Sequence, residues 1–219
     1  MTRKELIKSI KGDYPFISNQ DLICKVIIAE ILSMKLKCGD HISQNKLSVE
    51  FNLSRGPVKQ ALTRLEDYGY LAHDEAGAFY VNKPDIHFSA NVISFKRQLD
   101  LLAANQALFD ISKDNLERLQ ECYASMAKAF HEKTFVEFCH WDLKFHQIIV
   151  DASQNIFLKE TYIRYQDLFL FMSLCCEQDE RLFGRLLYQH RKIFTSLKNR
   201  QNEALQEAIN AHYSSLILF

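Results

Sequence analysis

The sequence predicts a mainly α fold in two parts: a small three-helix unit closed by a β-hairpin, then an all-α antiparallel bundle of about six helices. Three observations predict it. First, the three prolines and all but one of the six glycines lie at or before Pro84. That part of the chain is therefore punctuated into short elements. Second, beyond Pro84 only Gly184 interrupts a run in which apolar residues recur at helical spacing. Third, Tyr70 to His73 and Ala78 to Asn82 read as two short strands joined by Asp74-Glu75-Ala76-Gly77, with glycine where a positive φ is needed.

Taken in order, residues 3 to 10 read as a helical arm, interrupted by Gly12-Asp13-Tyr14-Pro15. Ser18 with Asp21 three residues on is a capping-box-like start, with Ile17 before it as a staple, for a helix running to about Lys35. Its expected buried side is Leu22, Val26, Ala29, Ile31 and Leu32. Ser43 opens a short helix from about Gln44 to Phe51, and the Asn52-Leu53 turn leads directly into the next helix. That helix has Ser54 as its expected cap, Pro57 in a first turn that needs no donor there, and Gly69 as its left-handed stop. Val58, Ala61, Leu62 and Leu65 form its core stripe; Arg55, Lys59, Gln60 and Thr63 point the other way. Three helices and a hairpin wing make a winged helix-turn-helix. A basic first turn suits a helix whose N-terminal end enters a major groove, though a solvated amphipathic helix has the same pattern.

In Leu47-Ser48, Leu53-Ser54-Arg55-x-Pro57-Val58-Lys59-x-Ala61-Leu62, Leu65-Glu66 and Gly69, after the turn Met34 to Asp40, the chain closely resembles the GntR family of bacterial transcription regulators. The resemblance spans roughly residues 20 to 82. It implies a reader of double-stranded DNA, whose expected contacts are Ser54, Arg55, Lys59, Gln60, Thr63, Arg64 and Lys46, with Gly77 at the wing tip. Arg55 is the expected base contact; Lys46, Lys59 and Arg64 are expected on phosphates. Gly56 stands where the family usually has threonine and Lys59 where it has arginine, and lysine offers a point charge in place of a fork.

Composition bounds the rest. At 219 residues with 47% apolar content, the chain is sized for two modest soluble domains. We place their boundary at Lys83-Pro84, giving 1–83 and 84–219. Net charge is zero, with a small positive excess before the boundary and the opposite after it, which permits a nucleic-acid partner without requiring one. The six cysteines contain no Cys-x-x-Cys pair and read as reduced, mostly buried residues. No secretory signal is visible, and the longest apolar stretch, Leu168 to Cys176, is far too short to span a bilayer, so a cytoplasmic protein without a membrane partner is expected.

In the second part, breaks near Ser112, Lys133, Gln154, Glu177 and Gln201 divide the chain into helices of about 86–110, 113–131, 134–152, 155–175, 178–199 and 202–218. Asp142 and His146 stand four apart, on one face of a helix and within reach of a single ion. His190 and His212 lie on two further helices. Such a His/His/His/Asp set suits zinc, nickel, manganese or iron, while the spacing alone fits an ordinary hydrogen bond and satisfied core histidines equally well. Here too a resemblance bears on the reading. Asp142, Phe145-His146, Asp151 to Asn155, and the later His190 and His212 resemble the FadR C-terminal domain, the effector-binding half of one GntR subfamily, in its six-helix VanR-like branch. The resemblance implies a divalent metal, zinc first with nickel or manganese as alternatives, held by Asp142, His146, His190 and His212. It also implies a small organic acid anchored on that metal. Lys96-Arg97-Gln98-Leu99-Asp100 matches the family's Arg-x-x-Leu-Glu with both charges kept, so Lys96 and Arg97 are candidate effector contacts, as is Tyr165 in the aromatic run Tyr162 to Met172. A solvated face for Lys96 and Arg97, and a core role for the aromatics, are the plainer readings.

The expected function is a homodimeric transcription regulator that reads a pseudo-palindromic operator under effector control. The alternatives are a metalloenzyme, for which no separate general base or nucleophile is visible, and a regulator whose metal is structural or is itself the signal.

Overall fold

The computed structural model describes residues 2–176 and 179–216. The expected break at Glu177 and a helix start at 178 lie outside the described residues, as does an end at 218. The chain forms two compact units, Met1–Pro84 and Asp85–Phe219.

In the first unit, α1 (Arg3–Asp13) is held at its start by a capping box between Thr2 and Glu5. Helix α1 passes through Gly12, which was expected to interrupt it. It docks on α2 (Asn19–Leu32) through Arg3, whose guanidinium pairs with Glu30 and Glu50. The α2 helix stops three residues before the expected Lys35, where Met34 takes a left-handed conformation (φ 58°). Its buried side is Leu22, Ile23, Val26, Ile27 and Ile31, with Ala29 and Leu32 only half-buried. An element not foreseen follows, β1 (His41–Ile42), two residues long and therefore without any periodicity to read.

Helices α3 (Gln44–Phe51) and α4 (Arg55–Asp67) meet through Asn52, at φ 53° and ψ 50°. A left-handed backbone costs a residue with a Cβ about 1–2 kcal/mol, less for asparagine and nothing for glycine. We expect Asn52→Ala to destabilise the unit by about 1 kcal/mol and Asn52→Gly to leave it nearly unchanged, read from denaturant midpoints. Val58, Ala61, Leu62 and Leu65 are buried as the stripe requires. Ser54 sits at the N-cap of α4 but its hydroxyl makes no capping hydrogen bond, a correction to its expected role. Gly69 (φ 82°) ends the helix, and β2 (Leu71–His73) and β3 (Phe79–Val81) form the wing around Gly77 (φ 78°). The sheet is antiparallel in the order β1-β3-β2, with His41 opposite Tyr80 and Leu71 opposite Val81.

The second unit is helical throughout its described residues: α5 (Ile86–Ala107), α6 (Lys113–His131), α7 (Phe135–Ala152), α8 (Ile156–Cys175), α9 (Glu180–Lys198) and α10 (Asn202–Ser214). Side chains of Asp85, Ser112, Asn155 and Asp179 cap four of these starts. Left-handed residues Lys133, Gln154 and Arg200 close α6, α7 and α9. The expected breaks near Ser112, Lys133, Gln154 and Gln201 thus coincide with a side-chain cap or a left-handed residue, although α5 ends three residues earlier than periodicity indicated. The core is dense in aromatics, with Phe138, Phe145, Tyr162, Phe169, Phe171 and Tyr213 buried.

Candidate nucleic-acid interface and candidate metal centre

On the first unit, Gln44, Arg55, Gly56, Lys59, Gln60, Thr63, Arg64 and Asp67 line one open groove along the outer face of α4. Of the residues expected at DNA, all but Lys46, Ser54 and Gly77 are in that lining, and those three are also exposed. The groove's cations differ in what they hold. Arg64 forms an ion pair with Asp21 at 2.6 Å and lies over the Tyr68 ring. Gln60 accepts a hydrogen bond from Gln20. A Cβ added at Gly56 would meet nothing within 4 Å, so packing within the unit does not require glycine there.

On the second unit, Asp142 and His146 on α7, His190 on α9 and His212 on α10 are all buried, and one potential ligand atom from each lies within 4.8 Å of the others. The four come together because α9 and α10, which pack on each other and on α6 and α5, bring His190 and His212 to the face of α7 that carries Asp142 and His146. The ring centroids of His146, His190 and His212 are 4.7 to 5.2 Å apart. Asp142 Oδ1 stands 3.0 Å from His190 Nε2 and 3.9 Å from His146 Nε2.

The tautomers follow from the outer partners. His190 Nδ1 lies 2.8 Å from the Leu186 carbonyl, which can only accept, so Nδ1 carries the proton. His146 Nδ1 faces the Asp100 carboxylate at 2.8 Å in the same sense. Both rings therefore turn Nε2 toward Asp142 and His212; His146 Nε2 and His212 Nδ1 have no hydrogen-bond partner, and His190 Nε2 has only its 3.0 Å approach to Asp142 Oδ1, which is not aligned as a hydrogen bond. Buried unpaired nitrogens beside a carboxylate are costly in a protein that only folds. They fit a divalent cation, and a second hydrogen bond fixing each ring is the usual support of a metal-bound histidine.

Protonation states agree with this geometry. Burial works against the charged form of Asp142, but positive charge at His190, then at His146 and Lys96, more than offsets it and holds the carboxyl well below its usual range, so the site calls for a cation beside Asp142 that a metal ion would supply when the imidazoles are neutral. Burial pushes His212 well down, helped by its two imidazole neighbours, and lowers His146, helped by Lys96. Neutral imidazoles and an ionised carboxylate are the forms that bind metal.

The candidate effector contacts fall elsewhere. Lys96 is buried, its Nζ bonded to Tyr213 at 2.7 Å and Asp100 at 3.2 Å, so the solvated-face reading does not hold for it. Arg97 donates to Asn210 Oδ1 at 2.9 Å. Tyr165 packs edge-on against Phe95 at 37% exposure. The aromatic wall expected around it is otherwise core: Tyr162, Phe169, Phe171 and Met172 are buried. The space that does touch the cluster is a small cavity bounded by Asp142 and His212 on one side and by residues of α7, α8 and α9 on the other. Sequence reasoning missed Asp100 and Leu186 as the partners that orient His146 and His190; a carbonyl leaves no trace in sequence, whereas an acid four residues after a lysine was visible.

Comparison with known proteins bears on the whole chain. Residues 91–215 match the family described as FCD domain, and residues 20–81 match bacterial regulatory proteins, gntR family. An uncharacterized HTH-type transcriptional regulator, YdhC of Bacillus subtilis (strain 168), is 26% identical over 185 residues, covering 84% of this chain and 83% of its own. The HTH-type transcriptional repressor RspR of Escherichia coli (strain K12) is 24% identical over 203 residues, with 89% and 85% covered. Among solved structures, a putative transcriptional regulator GntR from Rhodococcus sp. RHA1 superposes with a TM-score of 0.75 at 14% identity, covering 92% of this chain and 97% of that one. E. coli McbR/YncC gives 0.66 at 18% identity, with 91% and 95% covered.

Proposed function

This chain belongs to the GntR family of DNA-binding transcription regulators that carry an FCD domain, not to a family of enzymes, and from that premise we propose that a metal-anchored organic acid in the helical unit controls its operator binding. The observation that carries the reading is the quartet Asp142, His146, His190 and His212, whose ligand atoms lie within 4.8 Å of one another and whose inward-facing imidazole nitrogens make no aligned hydrogen bond. A bound zinc ion, with nickel or manganese as alternatives, would supply a Lewis-acidic anchor for a carboxylate oxygen. Asp142 contributes charge, and the three histidines contribute neutral donors oriented by Asp100 and Leu186 where those partners exist. Residues 1–83 are assigned to DNA, with Arg55 on a base edge and Lys46 and Lys59 on phosphates. The remainder is assigned to metal, effector and dimerisation. An acid shifts operator affinity only by binding the DNA-competent and incompetent arrangements unequally.

A second copy of the chain is the partner that a pseudo-palindrome requires. The exposed side of α5 suits it. From Phe88 to Phe109 the exposed residues are Asn91, Ser94, Phe95, Gln98, Leu102, Asn105, Gln106 and Phe109, without one charge. Depletion of charge around apolar residues marks an interface centre. Phe95, Leu102 and Phe109 recur every seven residues, and Ile163 of the adjoining α8 is exposed as well. Leu102→Glu is expected to weaken self-association by about tenfold or more with the circular dichroism spectrum intact, as read by sedimentation. An unchanged dimer would reject this face. No helix of the described residues is long and apolar enough to cross a membrane.

The test of the function is a mobility shift on duplex fragments flanking the protein's own gene, at several salt concentrations, with protein metal-loaded or chelated and with small organic acids added. Salt-sensitive, sequence-selective binding that responds to acid only in loaded protein is the expected outcome. Binding that never responds to metal or acid would reject effector control while leaving the DNA reader standing.

A further inference from the structure

The first unit holds its positive charge in an element that the family match does not include. The gntR match begins at residue 20, and α1 (Arg3–Asp13) precedes it. Residues 14–84 contain eight Lys and Arg against eight Asp and Glu, so they are neutral overall. The excess cations of the unit therefore come from α1, where Arg3, Lys4, Lys8 and Lys11 outnumber Glu5 and Asp13. The groove on α4 has little surplus of its own, because Arg64 is matched by Asp21 and Asp67 stands in the same lining. Sequence-independent affinity for duplex DNA comes from cations on phosphates.

Helical spacing sorts the side chains of α1. Leu6, Ile7 and Ile10 are half-buried where α1 packs on α2, and Arg3 is held by Glu30 of α2 and Glu50 of α3. Lys4, Lys8 and Lys11 share one edge at i, i+4 and i+7, and all three are exposed. None of them pairs with an acidic side chain among the described residues.

Two sets of contacts fix where that edge lies. Arg3 at the start of α1 meets Glu30 near the end of α2, so the two helices run antiparallel and the Lys11 end lies beside the start of α2. Tyr14, just past α1, seats that end with its ring 4.6 Å from the Lys25 ammonium. The start of α2 is also what touches the outer face of α4. Gln20 donates to Gln60 and Asp21 pairs with Arg64, and both partners line the groove.

Resting on the DNA-reading role of this unit, we propose that α1 is a second DNA-binding element, whose Lys8 and Lys11, with Lys4 behind them, meet the sugar-phosphate backbone bordering the groove that α4 reads. An ammonium is a point charge without a fork, so these contacts add affinity and register but no sequence preference. Arg3 fixes the element to α2 and α3.

The experiment compares the full chain with a Lys8→Gln/Lys11→Gln variant by fluorescence anisotropy, on duplexes flanking the protein's own gene and on scrambled copies, over a range of salt. Both positions are exposed, so the circular dichroism spectrum and Tm should match wild type. The variant should lose about tenfold or more in affinity for both duplexes at about 0.1 M salt, and its slope of log affinity against log salt should fall by about 2 per bound protomer. The ratio of specific to scrambled affinity should not change. Unchanged affinity and slope overturn the inference while leaving the reader on α4 in place, and a collapsed ratio overturns the assignment to phosphates. Absence of salt-sensitive binding by wild type to either duplex overturns the DNA reading and this inference with it. A Lys8→Glu/Lys11→Glu variant supplies a second measurement: repulsion from phosphates should deepen both losses, and wild-type binding by it would remove α1 from the interface. Capture of wild type but not of the glutamine variant by phosphatidylglycerol vesicles, with DNA affinity unchanged, would assign the lysine edge to an anionic membrane surface instead.

Discussion

Removing the metal from this protein, or replacing His190 with glutamine, should erase a large and separable part of its thermal stability. The quartet is distributed over α7, α9 and α10, so an ion bound there ties α7 to a pair of helices that are joined to each other by packing and by the Gln189–Ala211 hydrogen bond. A ligand that binds only the folded state at about a thousand times its Kd contributes about 4 kcal/mol. For a chain of this size that is about 10 °C in Tm. Loss of an outer partner of a metal ligand costs about 10–100-fold in metal affinity, so loss of a ligand itself should cost about 100-fold or more. His190 is wholly buried beside Phe138 and Phe145, so truncation to alanine would also open a cavity and lower stability for unrelated reasons. Glutamine fills more of that space, and the quantity to compare is the increment in Tm on adding zinc to chelated protein. Wild type should show the full increment and His190→Gln little of it, while His87→Gln, at an exposed position, should match wild type. An equal increment in His190→Gln would remove His190 from the site.

The legible parts of the molecule are those where chemistry is local. Caps at Ser18 and Ser43, the positive-φ glycines Gly69 and Gly77, the break at Ser112 and the apolar stripe of α4 are each written within a few residues, and the elements they predict are present. The strand β1 escaped because two residues carry no period, and its pairing to β3 is a nonlocal event. The more instructive failure is α5. Its charged residues Lys96 and Asp100 face inward and are buried, whereas Phe95 and Leu102 face outward. A reading that places charge in solvent and apolar groups in the core inverts this helix. The inversion persists because each side answers a separate demand. Lys96, Asp100 and Tyr213 form a closed hydrogen-bonded set whose carboxylate orients His146. The outer face suits a second copy of the chain. Local rules fail where function is concentrated. The four candidate metal ligands, by contrast, were identifiable by residue type and order, but nothing in the chain before folding tells which of the eight histidines will be buried together.

Arg55→Ala should cost this protein about 10–100-fold in affinity for its specific operator, equivalent to about 1–3 kcal/mol for one bidentate base contact. Arg55 occupies the first turn of α4, exposed and at the end of the helix that a helix-turn-helix aims at base edges. Lys59, one turn on, is expected on a phosphate. Its replacement by alanine should weaken all duplexes alike and reduce the slope of log affinity against log salt by about 1. Arg64 makes the contrast that tests the assignment. It lies in the same groove, but its guanidinium is already held by Asp21, so a phosphate contact must compete with that ion pair. Arg64→Ala should therefore change the salt slope less than Lys59→Ala does, and what it costs should appear partly as lost stability between α2 and α4. Gly56 strengthens the ordering. With open space around its Cβ position, it removes bulk beside Arg55 where a duplex would approach, a reason for glycine that the unliganded fold does not supply. Wild-type affinity and sequence preference in a folded Arg55→Ala protein, measured by mobility shift against specific and scrambled duplexes, would move the base-reading role to another residue of the groove.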